Sequence, residues 1–94
     1  MMDLRDKQLL RVAARSAFRD PMYASFLIQS AKPSREGRDV LQNLQNVIDR
    51  AVVSSGGAAD IGRYQNDLIQ QVQNLEHQNS ARIFLQNALS ASNI

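Results

Sequence analysis

From residue 40 to residue 52 the apolar side chains fall at Val40, Leu41, Leu44, Val47, Ile48, Ala51 and Val52. This i, i+3, i+4 spacing draws one continuous stripe along an α-helix, whereas a strand would scatter it over both faces. The opposite face, Gln42, Asn43, Gln45, Asn46, Asp49 and Arg50, is polar throughout. Such a helix has a side that must be covered, so the rest of the chain has to supply covering helices. No other stretch alternates as a strand would. The expected fold is therefore all-α, a small helical bundle of three to five helices.

Punctuation residues divide the remainder. A first helix is expected from about Asp3 to Arg19, with Leu10, Ala13, Ala14 and Ala17 on one face and Leu9 and Phe18 beside it. Asp20-Pro21 should end it, because a residue before proline is pushed out of the α region. The same pair should start a second helix, with Asp20 as N-cap and Pro21 in the first turn. That helix, PMYASFLIQSA, is short and apolar almost all round: Met22, Tyr23 and Phe26 face one way, Leu27 sits to the side, and Ala24 and Ile28 lie roughly opposite. A segment this short is not stable alone, so it is wedged between helices or half exposed to a partner. Pro33 breaks the chain next, and either Ser34 or Asp39 caps the third helix, Asp39 with Gln42 fitting a capping box.

The stretch SSGGAADIGRY, residues 54–64, carries a superficial likeness to a phosphate-binding loop, since Gly57 and Gly62 stand five apart and Arg63 follows. Such a loop needs a lysine and then a hydroxyl to reach phosphate and Mg²⁺; Arg63 and Tyr64 stand there instead. It must also follow a β-strand, whereas the residues before it continue a helix. The stretch reads as a joint: Gly56 or Gly57 ends the third helix in the left-handed conformation and Asp60 caps the fourth. Helices three and four then form a central helical hairpin.

Beyond Asp60, Ile61, Tyr64, Leu68, Val72 and Leu75 hold one face, with Ile69 beside it. After His77 the phase shifts, because Ala81, Phe84 and Ala88 point elsewhere. Either the helix breaks near HQNS, with Asn79 or Ser80 capping a last helix, or one long helix changes neighbours halfway. One continuous helix is the expectation. At about 45 Å for residues 60–90, its tail would need a second chain to cover Phe84, Leu85 and Leu89.

Composition narrows function more than it defines it. The 94 residues make one helical domain, with basic N-terminal helices over 1–33 and an amide-rich hairpin over 34–94. Without cysteine there is no disulfide, thiolate metal site or thiol nucleophile. His77 has no second histidine or cysteine to complete a ligand set, and Asp49, Asp60, Asp67 and Glu76 are scattered, so they read as caps and solvated positions. No catalytic residue, cofactor or metal is expected, and the chain reads as a non-enzyme. No signal peptide and no apolar run near the ~20 residues of a membrane span is visible, which suggests a cytoplasmic protein. Residues 1–38 hold eight Lys/Arg against four Asp/Glu; residues 39–94 hold three against five, with fifteen Asn or Gln from residue 42 onward. Neutral amide faces neither repel nor steer.

The leading expectation is a small protein-interaction module, an adaptor, an assembly or secretion chaperone, or an inhibitor, that packs helices against itself or a target. Apolar surface looks too extensive for one small bundle to hide, so a homo-oligomer is expected. The candidate contact residues are Phe18, Met22, Tyr23, Phe26 and Leu27 in the first half and Ile83, Phe84, Leu85 and Leu89 in the second. Aromatic and Met side chains are the usual anchors of such interfaces. The alternative is a nucleic-acid-binding or transcription-regulating protein using a basic ridge of Lys7, Arg11, Arg15 and Arg19, spaced every fourth residue along the first helix.

Overall fold

Helix α1, Leu4–Arg19, lies at the centre of the molecule, and every other helix packs against it. The computed structural model describes residues 3–57, 59–75 and 79–92. After α1 come α2 (Pro21–Ser30), α3 (Arg35–Ser54), α4 (Ile61–Gln73) and α5 (Asn79–Ser92), with no strand among the described residues. The fold is a small all-α bundle. Helices α3 and α4 form its central hairpin, α2 covers one side of α1 and α3, and α5 closes the other side against α1 and α4.

Local signals set most of the boundaries. Asp3 caps α1 by accepting from the Asp6 N–H. Asp20 is extended and accepts from the Tyr23 N–H, with Pro21 in the first turn of α2. The joint between α3 and α4 is a glycine stop: Gly56 and Gly57 have φ of 77° and 94°. The Gly56 N–H reaches the Val53 carbonyl and the Gly57 N–H reaches that of Val52 at 2.7 Å, the paired bonds that terminate a helix through a left-handed residue. Asp60 then caps α4 by accepting from the Arg63 N–H.

One boundary decides between the two expected caps, and another differs from expectation. The third helix starts at Arg35, capped by Ser34, so the Asp39–Gln42 capping box does not form. Ser34 prevails because it is held from outside its own helix. The Asp6 carboxylate, 3 % exposed, accepts both the Ser34 N–H at 3.2 Å and the Ser34 hydroxyl, which in turn accepts the Gly37 N–H. The correction concerns residues 60–90, which form two helices, not one. A continuous helix of about 45 Å would outrun the 35 Å longest dimension of the fold. The phase shift instead marks a reversal, after which the second stripe returns to α1 and α4. Residues 76–78, His77 and Glu76 among them, lie outside the described residues.

The reversal changes what needs covering. Leu85 and Leu89 are buried with Leu10, Ala13, Ala14, Leu44, Tyr64 and Leu68 in one continuous core. Their own chain encloses them, and no second copy is required for that. Small residues on α1 allow close helix approach: Ala13, Ala14 and Ala17 are all fully buried. The buried residues of α3 and α4 repeat the expected stripes, Leu41, Leu44, Val47, Ile48 and Ala51 on the first and Tyr64, Leu68 and Val72 on the second.

A helix leaves its last carbonyls without intrahelical donors. In α1 the C-cap residue Asp20 donates its own N–H to the Ser16 carbonyl at 2.6 Å, and the carbonyls beyond it are met from α4. The Tyr64 hydroxyl donates to the Ala17 carbonyl at 2.6 Å and the Gln65 amide to that of Phe18 at 2.8 Å. Burial, with a smaller contribution from the Asp20 carboxylate, pushes the Tyr64 phenol well above its ordinary value near 10. Neutral Tyr64 is the form that donates.

Two predictions come from this packing. A Cβ at Gly37 would lie 2.8 Å from Asp6 Cγ and 3.1 Å from Pro33 Cβ, whereas one at Gly62 meets only Asp60 Oδ1 at 3.6 Å. Gly37→Ala should therefore destabilise by about 1–3 kcal/mol through overpacking, while Gly62→Ala should be neutral or stabilise by up to about 1 kcal/mol. Urea denaturation of both variants checks the pair, and equal effects would contradict the contact at Gly37. Because the folded value of Tyr64 is raised, its contribution is complete below the unfolded value and is lost as pH rises from there through the folded one. Stability should fall as pH climbs above about 10, and Tyr64→Phe should flatten that decline; an unchanged slope would remove Tyr64 from the alkaline loss.

Candidate functional site

Helix α2 is apolar on two sides, and only one of them is used internally. Ala24 is buried and Ile28 packs against the core. On the outer side Met22 is 83 %, Tyr23 53 % and Phe26 62 % exposed. Helix α3 runs antiparallel beside it, with the Gln45 amide bonded to Ser25 Oγ at 3.0 Å. Towards the start of α2 the two helices leave an open groove of about 670 Å³ between them. Met22, Ser25 and Phe26 form one wall and Ile48, Asp49, Val52 and Val53 the other. Val53, at 80 % exposure, carries the apolar surface across to α3.

The groove's lining includes one ionisable group, Asp49. Its Oδ1 accepts from the Gln45 amide at 2.9 Å, so Gln45 bridges Ser25 and Asp49 along the seam between the helices. Gln45 Oε1 is buried with no hydrogen-bond partner. An open, mainly apolar trough between two helices, with a few polar groups in its lining, is suited to receive bulky apolar side chains.

The candidate contact residues separate into two groups. Met22, Tyr23 and Phe26 share the outer side of α2, with Leu27 half-buried at its edge. Phe18, Leu85 and Leu89 belong to the core, at 6, 0 and 2 % exposure. They are not available to a partner, because α5 folds back on α1 and they fill the space between. Ile83 is exposed on α5, and Phe84 is half-buried. The Arg11 guanidinium lies over the Phe84 ring, 5.8 Å from its centre, close enough for a cation–π contact. The two halves of the expected interface therefore do not form one surface.

That stacking also bears on the basic ridge. Arg11, Arg15 and Arg19 are exposed along α1 and Lys7 is half-buried. Arg11 and Arg15 border a shallow depression with Phe84 and Asn87 of α5. Sequence reasoning did not single out Val53, which lies off the α3 stripe; Val52, the last residue of that stripe, is half-buried against the core.

Among the described residues no group of three or more His, Cys, Asp or Glu is placed to hold a metal ion. No helix among them is long and apolar enough to cross a membrane. Comparisons with protein families, with curated proteins and with solved structures find no match for this chain.

The division between core and surface predicts opposite costs for two large residues. Leu85→Ala should lose about 2–5 kcal/mol by leaving a cavity, and Phe26→Ala should stay within about 0.5 kcal/mol of the parent. Thermal or urea unfolding decides. A large loss at Phe26 would mean that its ring is enclosed after all.

Proposed function

We propose that the protein is a small interaction module that acts by helix packing through the outer side of α2 and the groove beside it. The roles that fit are adaptor, assembly chaperone or inhibitor. The observation that carries this reading is the joint exposure of Met22, Phe26 and Val53 around one groove. A helix greasy on both sides is the pattern of an element covered on both sides. Large exposed apolar patches on a small domain mark contact sites, and Met and Phe adapt well to a partner's shape.

The basic ridge supports the second reading, binding of nucleic acid, less well. Arg11, though exposed, stacks on Phe84 of its own chain, Lys7 is half-buried, and the amide-rich faces add no positive field.

Affinity capture with the tagged native chain distinguishes the two when run beside two variants. Proteins retained by the native chain and by Arg15→Ala, yet lost with Phe26→Asp, are the expected outcome. Loss with Arg15→Ala and retention with Phe26→Asp would move the function to the ridge. Identical retention by all three chains would contradict both surfaces.

A further inference from the structure

Resting on the reading of α2 as a docking element, we propose that the groove is filled by α2 of a second copy of this chain, in a two-fold pair in which each Phe26 enters the other's groove. An isologous contact requires one patch to hold both a projection and its receptacle. This patch does: Phe26 and Met22 project from α2, and the trough bounded by Ile48, Val52 and Val53 lies directly beside them.

Area supports the same occupant. Met22, Tyr23, Phe26 and Val53 together expose on the order of 500 Å², towards the top of the ~300–600 Å² spanned by the largest patch on a typical monomer. A standard interface takes about 800 Å² from each partner. Half-buried Leu27 and Val52, with Ser25 and Gln29 of the groove lining, add to the patch without reaching that size. The expected pair is therefore at the small end of stable interfaces, reversible and dependent on concentration.

Charge does not oppose it. Asp49 is the ionisable group of the groove and stands on the α3 wall, already bonded to Gln45. A two-fold axis through paired α2 helices puts the two α3 helices, and so the two Asp49 carboxylates, on opposite flanks. The polar face of α3 beyond them is largely amide, so the approach of two copies brings few like charges together.

Sedimentation equilibrium of the full chain across roughly 1–300 μM tests the proposal. The expected result is a monomer–dimer equilibrium that weakens at least about 10-fold in Phe26→Asp and, independently, in Val53→Asp from the other wall. Circular dichroism should show both variants as helical as the parent. Arg15→Ala should leave the equilibrium unchanged. A monomer at every concentration would overturn the self-pairing, as would a dimer indifferent to both groove variants. The wider reading fails separately: a monomeric chain that still captures another protein through Phe26 keeps the groove as a docking site, whereas a monomer with no such capture loses both.

Discussion

The fold depends on how the two ends of α1 are held by the hairpin it lies against. At its start, the buried Asp6 carboxylate gathers the Ser34 N–H and hydroxyl, and Ser34 in turn caps α3. At its end, Tyr64 and Gln65 of α4 donate to the Ala17 and Phe18 carbonyls that α1 cannot satisfy itself. Buried polar groups left unpaired cost about 1–3 kcal/mol each, so these bonds specify register as well as adding stability. Between the two clamps the alanines of α1 let the hairpin approach closely, and α5 then closes on the opposite side.

With α1 fixed, the remaining surface has a definite character. α2 leaves α1 through the Asp20-Pro21 corner and touches only α1 and α3. One side of it completes the core and the other has no helix over it. Four of the exposed large apolar residues, Met22, Tyr23, Phe26 and Val53, lie together at α2 and the last turn of α3, whereas Leu4, Val12, Ile61 and Ile83 are exposed singly on the other helices. Phe84, which composition alone would assign to the same role, instead supports Arg11. The proposed self-pairing follows from this cluster, since α2 carries the ridge and shares the trough with α3.

Signals carried by neighbouring residues were legible in the sequence. The Asp20-Pro21 corner, the Gly56-Gly57 stop, the Asp60 cap and the α3 stripe each depend on contacts within a turn or two. What could not be read was long in range. The Asp6–Ser34 bonds join residues 28 apart and the Tyr64–Ala17 bond residues 47 apart. The choice between Ser34 and Asp39 as cap turned on the first of these contacts. The fate of residues 60–90 was similarly ambiguous, because a phase shift fits a reversal and a change of neighbours equally well. Of the candidate site, the outward residues of α2 followed from its angular pattern, whereas Val53, off the α3 stripe, emerged only from its exposure beside the groove.

If both clamps hold, α1 is not an appendage to a self-sufficient hairpin but the element around which the hairpin closes. Native-state hydrogen exchange followed residue by residue tests this most directly. The amides of α1 between Leu10 and Ala17 should exchange only with global unfolding, in step with those of α3 and α4, while α2 opens at lower free energy. Early exchange throughout α1, with α3 and α4 still fully protected, would contradict the account.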